Sequence, residues 1–326
     1  MTKKKRTKDS LGYVDTVFVV NGEMIKDNGE DSYAFSVKDN RGFIGVYDGC
    51  GGIGSRRYDE FDNKTGAYIS SRSIANATSE FFNAFCEKNL YMSSNNFPMI
   101  CESLKDGYSS YLNSIDKSSA KSMIKGSLTK NFPTTVSNIF FSHDNSKVNS
   151  YFAWAGDSRG YILLPSGLTQ VTNDDIYGNE DAFSNLSSDG NLSNFVCAGS
   201  DFKINHKSVS CPEKVVLVTA TDGCFGYFST PMEFEYMLLD TLVKANGIND
   251  WKQLLHEYIL KYTGDDYTMG IAVFGFGEFR HLKKAFLRRH KQLYLKYISK
   301  LENISKNDLN DLWREYKKTY YRKHRV

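Results

Sequence analysis

Four apolar runs, at residues 134–142, 150–155, 160–164 and 167–171, follow one another with only a few residues between them. Gaps that short leave no room for a crossover helix, so neighbouring runs can pair only as antiparallel hairpins. Further strand-like runs at 14–20, 32–37 and 41–47 precede them, and runs at 214–221 and 268–276 follow. Ala67, Ile74, Ala77, Phe81 and Phe85 recur at spacings of three, four or seven, which lays one apolar stripe along a helix over 65–86. Helices are also expected over 97–115, 231–242 and 249–262, and residues 173–194, rich in Asn, Asp, Ser and Gly, read as a long surface loop. Strands, helices, strands, helices and a last strand make an α+β order, without the regular alternation of a doubly wound fold.

Carboxylates recur where these strands begin or end. Glu30 and Asp31 precede the run at 32–37, and Asp48 ends the run at 41–47. Asp157 follows 150–155, Asp222 follows 214–221, and Asp265 and Asp266 precede 268–276. Asp is a common turn residue, and that accounts for any one of these junctions. It accounts poorly for five of them. Strand ends of one sheet can converge, and four to six carboxylates in one place repel one another unless divalent cations neutralise them. Glycines stand beside most of these acids, and Gly49-Cys50-Gly51-Gly52-Ile53-Gly54 also satisfies the dinucleotide fingerprint G-x-G-x-x-G. Asp48 would then face a pyrophosphate with a negative charge, and residues 55–64 are polar where a helix should pack. The fingerprint is therefore rejected.

Charge is distributed in keeping with an acidic centre. Residues 281–326 carry 14 Lys and Arg against 4 Asp and Glu, so this tail is +10 and the first 280 residues, from a total of +3, sum to −7. The six cysteines are scattered with no Cys-x-x-Cys pair, which favours reduced thiols and a cytoplasmic setting over a disulfide framework or a zinc site. No apolar run approaches membrane-spanning length, and the basic start is not followed by a signal-peptide core.

Glu30-Asp31-Ser32, Asp48-Gly49-Cys50-Gly51-Gly52, Thr134-Thr135, Gly156-Asp157-Ser158-Arg159-Gly160, Thr221-Asp222-Gly223 and Asp265-Asp266-Tyr267-Thr268 occur in that order. Together they resemble the motif series of the metal-dependent protein phosphatases, the protein phosphatase 2C family, in a bacterial-like variant and over residues 12–276. The resemblance implies a four-layer sandwich of two antiparallel sheets flanked by helices, with metals at one end. It implies hydrolysis of phosphoserine or phosphothreonine by water activated between two magnesium or manganese ions, without a phosphoenzyme. Asp48 would bridge the two ions, with the Gly49 carbonyl completing one site and Asp222 and Asp265 holding the other. Glu30 and Asp31 would hold metal-bound waters or support the ligands, and Asp157 matches a third, weaker metal position. A phosphorylated protein is the implied substrate and its Ser/Thr kinase a possible partner.

Two positions depart from the family pattern. Cys50 stands where many members have His, so proton donation to the leaving oxygen would fall to water. Lys26 stands at the position of a phosphate-binding Arg, and lysine supplies a point charge without the bidentate grip. The rival to an active phosphatase is a catalytically silent relative that only binds phosphoproteins. Such relatives usually lose metal carboxylates, and this chain keeps them. The expected organisation is a basic arm over 1–10, a phosphatase domain over 11–278 and a basic amphipathic helical extension over 279–326. Phe286, Leu293, Tyr297 and Leu301 share one helical face of that extension, and Leu309, Leu312, Trp313 and Tyr316 suggest another. It is expected to pack on the acidic body or dock an acidic partner, and a chain stopping near Glu278 to keep its catalysis. Nucleic acid is not expected as a partner, since no nucleic-acid module is recognisable.

Overall fold

The computed structural model describes residues 14–118, 130–144, 147–178, 181–186 and 191–321. The basic arm at 1–10 lies outside the described residues. In chain order the elements are β1 (Val14–Gly22), β2 (Ser32–Lys38), β3 (Arg41–Tyr47), β4 (Arg57–Tyr58), β5 (Lys64–Thr65), α1 (Gly66–Glu87) and α2 (Phe97–Ser118). Then come β6 (Val136–Asp144), β7 (Lys147–Ala155), β8 (Arg159–Leu164), β9 (Gly167–Gln170), α3 (Ala182–Leu186), β10 (Asn205–Pro212) and β11 (Val215–Ala220). The chain closes with α4 (Pro231–Lys244), α5 (Ile248–Leu260), β12 (Tyr267–Phe274), α6 (Phe279–Lys296) and α7 (Lys306–Tyr320).

Two five-stranded antiparallel sheets form, in the orders β1-β12-β11-β8-β9 and β10-β7-β6-β3-β2, and β4 pairs with β5 as a small separate ribbon. The tightly spaced runs pair as hairpins, β6 with β7 and β8 with β9, as their short links demand. Strand alternation then sorts side chains into three apolar layers. Ile44, Ile139, Phe152, Ile162, Leu217 and Phe274 meet between the sheets. Phe43, Tyr47, Phe140 and Tyr151 face α1 and α2 on one outer side. Val216, Val218, Met269 and Ile271 face α4, α5, α6 and the last turn of α7 on the other. Both β11 and β12 are covered on both faces, which is why they read as unbroken apolar runs. The result is helix, sheet, sheet, helix.

Sequence pattern missed β10. It is an edge strand on β7 along which His206, Lys207 and Ser210 are exposed and only Val209 and Cys211 are buried. Half an apolar face on an edge strand leaves too faint an alternation to find.

The C-terminal stripe is buried in the same core as the body. Leu282, Phe286, Leu293, Tyr297, Trp313, Tyr316 and Tyr320 pack with Tyr161, Val216, Met237 and Leu238. Glu235, fully buried on α4, accepts two 2.7 Å bonds from the Arg289 guanidinium and a 2.6 Å bond from the Tyr316 hydroxyl. The Tyr320 hydroxyl donates to Gln170 at 2.9 Å, and Trp313 and Lys317 both donate to Asp181. Packing on the body is therefore what the tail does. A chain stopping near Glu278 would lose these residues from the core, so it should lose stability along with its tail.

Candidate active site

Antiparallel register gathers the strand-end acids. Ser32 is opposite Tyr47 in the β2–β3 pair, so Asp31 and Asp48 lie beside one another. Ala220 is opposite Met269 in the β11–β12 pair, so Asp222 meets Asp265 and Asp266. Val136 is opposite Ala155, which sets Thr135 against the Gly156-Asp157 turn. These junctions line one cleft of about 300 Å³ whose walls include Glu30, Asp31, Asp48, Gly49, Asp157, Asp222 and Asp265. Seven of the eight sequence-predicted site residues are thus brought together. Lys26 is not; it is exposed and does not line the cleft.

Two glycines make the close approach possible. A Cβ on Gly223 would fall 1.9 Å from the Asp266 carbonyl oxygen, and Gly156 turns at φ +102° with Thr135 2.7 Å from where its Cβ would be. Hydroxyls and amides then brace the acids. Thr135 N and the Thr134 hydroxyl donate to the Asp48 carbonyl at 2.7 and 2.8 Å, and Thr135 Oγ1 pairs with Ser158 Oγ at 2.7 Å. The Thr221 hydroxyl donates to Asp31 at 2.8 Å, while Glu30 accepts from the Thr65 hydroxyl. Asp266 accepts from the amides of Met24 and Glu30, each at 2.7 Å. Sequence reasoning quoted Asp266 and Thr221 within motifs without a role; their position next to site acids was the available signal.

The donor set is all oxygen and negatively charged, the chemistry a hard divalent cation requires. Among the described residues, no three His, Cys, Asp or Glu side chains already form a closed metal-binding set. Part of the reason is visible in the braces, since Glu30, Asp31 and Asp266 direct oxygens to protein donors. The acids nevertheless feel one another. Burial and the charges of Asp222, Asp31 and Asp157 hold the Asp48 carboxyl well above its usual range. Burial, opposed by the Thr221 hydrogen bond and reinforced by Asp222, does the same for Asp31. Asp265 is exposed on its rim side, yet desolvation of its inner side and the Asp222 charge push it up to about 6.

The sign of the pH dependence follows. A carboxyl raised in the folded state binds more protons folded than unfolded, so its stability contribution is full below the ordinary value of 3.8 and falls as pH rises through the folded value. Metal-free protein should therefore lose thermal stability between about pH 4 and the raised values, a window that Asp265 places through pH 6. Manganese should reverse that loss, so the upward shift in Tm on adding it should grow from pH 5 to pH 8. Differential scanning fluorimetry at fixed manganese checks this; a shift that shrinks with pH would contradict it.

Cys50 is half-buried on the cleft wall, and burial with the charges of Asp48, Asp157 and Asp222 pushes its thiol well up. It stays protonated and weakly nucleophilic at neutral pH. Iodoacetamide should label Cys50 far more slowly than a free thiol, and Cys50→Ala should change aryl phosphate turnover less than about three-fold, within the effect of a neutral wall residue. Fast labelling, or a large loss on both aryl phosphate and phosphothreonine, would give the thiol a direct role. All six cysteines are free, as their scatter suggested.

Most of this architecture recurs in solved structures. It matches the Mycobacterium tuberculosis serine/threonine phosphatase PstP/Ppp at 15% identity and TM-score 0.57, over 79% of this chain and 98% of that one. It matches the serine/threonine phosphatase Stp1 from Staphylococcus aureus at 16% identity and TM-score 0.58, over 79% and 94%. It also matches the catalytic domain of PstP in complex with two manganese ions at 14% identity and TM-score 0.52, over 79% and 97%. No protein-family profile and no curated protein matches the sequence. The fold is that of the bacterial metal-dependent serine/threonine phosphatases, the protein phosphatase 2C type. Among the described residues no helix is long and apolar enough to cross a membrane.

Proposed function

We propose that this chain is a protein serine/threonine phosphatase that uses two bound magnesium or manganese ions, with a third, weaker one at Asp157. The observation that carries the reading is the convergence of Asp48, Asp157, Asp222 and Asp265 on one cleft of a protein phosphatase 2C fold. Asp48, the Gly49 carbonyl, Asp222 and Asp265 would hold the two ions, and Asp157 the third. When bound, the ions neutralise phosphoryl charge and supply a water acidic enough to act as nucleophile at neutral pH.

The protein's own residues hold that centre in place. Asp31, pinned by Thr221, and Glu30, pinned by Thr65, each keep one oxygen on a protein donor and would orient waters or support the ligands with the other. Asp48 and Asp265 give up their raised affinity for protons when they ligate, which costs less at higher pH. Cys50 is a weak acid, its thiol held well above its usual range by burial and the neighbouring acids, so protonation of the departing Ser or Thr oxygen falls to water. Lys26 lies outside the cleft lining, so any contact with the phosphate depends on its long stem reaching inward. A phosphorylated protein is the substrate in this reading, and the kinase that phosphorylates it is the opposing partner.

Release of phosphate from a phosphothreonine peptide and from para-nitrophenyl phosphate tests the reading. Turnover should require manganese or magnesium and vanish in chelator. Undiminished turnover in chelator would contradict the mechanism. Peptide binding without phosphate release in manganese would identify a silent phosphoprotein-binding relative instead.

A further inference from the structure

A second depression of about 290 Å³ adjoins the acidic cleft and shares Glu30, Asp265 and Asp266 with it. The two differ in charge. The cleft wall includes no Lys or Arg among the described residues, whereas the neighbouring depression is lined by Arg57 and Lys64. Both cations come from the β4–β5 ribbon, in which Arg57 is opposite Thr65 and Tyr58 opposite Lys64. Thr65 in turn holds Glu30, so the ribbon is tied to the cleft wall. The Lys64 ammonium bonds Asn28 at 3.0 Å and lies 4.7 Å over the Tyr68 ring, which fixes its charge at the depression. Met24 and Ile25, 49% and 68% exposed, form an apolar side of the same depression.

We infer that this depression receives the residue flanking the phosphorylated Ser or Thr, and that Arg57 and Lys64 select an acidic side chain there. The inference rests on the phosphatase reading of the adjoining cleft. Position decides against these cations binding the reacting phosphoryl group, since they line the depression beside the acids and not the cleft that holds them. The acids on the shared wall turn oxygens away from the depression toward protein donors, Asp266 to two amides and Glu30 to Thr65, and Asp265 also lines the metal side. A depression of that volume holds one side chain with its backbone, and the exposed Met24 and Ile25 give the stem an apolar surface. Arginine adds a bidentate match to a carboxylate.

The test uses two phosphothreonine peptides, identical except for Asp or Lys on either side of the phosphothreonine. Both kcat/KM in manganese and binding by fluorescence anisotropy of labelled peptides are measured. The Asp peptide should be favoured about five-fold or more by both readouts, as for a pair of partly exposed ion pairs, and the preference should shrink at high salt. Arg57→Glu should reverse the preference, and Arg57→Gln, which leaves Lys64 in place, should weaken it. The readout is a ratio, so a general loss in either variant cancels. Equal treatment of the two peptides by the wild type, or an unchanged ratio in both variants, overturns the inference. Failure to bind either peptide also overturns it. Preferential binding of the Asp peptide with no turnover of either would sink the phosphatase reading and support the subsite; turnover of both without preference would do the opposite.

Discussion

Asp222→Asn and Asp265→Asn should each lower kcat/KM for a phosphothreonine peptide by roughly three orders of magnitude, about 4 kcal/mol of lost transition-state stabilisation. Each replaces an anionic oxygen by a neutral amide at the same volume, so the change falls on the charge that would hold the ions. The fold should persist and even gain. Asp222 raises the proton affinity of Asp31, Asp48 and Asp265, so removing its charge relieves repulsion among buried acids. Circular dichroism and a Tm at or above the wild-type value in chelator should accompany the loss of activity. Wild-type rates in both variants would mean that neither residue is a ligand. Equal loss of rate and of Tm would mean that the acids serve the fold.

The second large effect lies far from the chemistry. Arg289→Met should destabilise the protein by about 3–5 kcal/mol, because the fully buried Glu235 would keep its charge and lose its bidentate partner. That corresponds to a fall in Tm of roughly 10 °C for a domain of this size. Adding Glu235→Gln should recover part of it, since the remaining group is neutral and still bonded by Tyr316. A chain ending at Glu278 loses both partners of Glu235 together with Leu282, Phe286, Leu293, Trp313, Tyr316 and Tyr320 from the core. At roughly 1.5–3 kcal/mol for each buried side chain, the loss reaches the entire net stability of an ordinary domain. The truncated chain should be insoluble. A soluble truncation product with the wild-type Tm would show that the tail is dispensable.

The tail also shows where sequence reading stopped. Its stripe was legible at helical spacing, but amphipathic helices look alike whether they cover a neighbour or await a partner. What decided the matter was Glu235, an acid inside α4 that no local pattern ties to Arg289, 54 residues away. The site was read more fully. Strand ends marked Asp48, Asp222 and Asp265 as acids that could converge, and the family resemblance supplied their roles; the β11–β12 pairing that joins Asp222 to Asp265 spans two helices and had no local signal. Lys26 did not follow, because a motif offset says nothing about where an exposed side chain ends. Arg57 and Lys64 sit in a two-residue ribbon inside a polar stretch that looked like plain loop. The β10 edge strand escaped for a related reason, since only Val209 and Cys211 along it are buried.

Cations held by the strand-end carboxylates are the centre of the proposed chemistry. Anomalous scattering from crystals grown or soaked in manganese tests that most directly, because it sees the metal and not its consequences. The prediction is two strong anomalous peaks in the cleft, both against Asp48, with Asp222 and Asp265 on one of them, and a weaker third at Asp157. In Asp222→Asn crystals the peak that this residue shares with Asp265 should fade. A cleft without manganese at concentrations that saturate turnover, or manganese bound only elsewhere on the surface, would contradict the account.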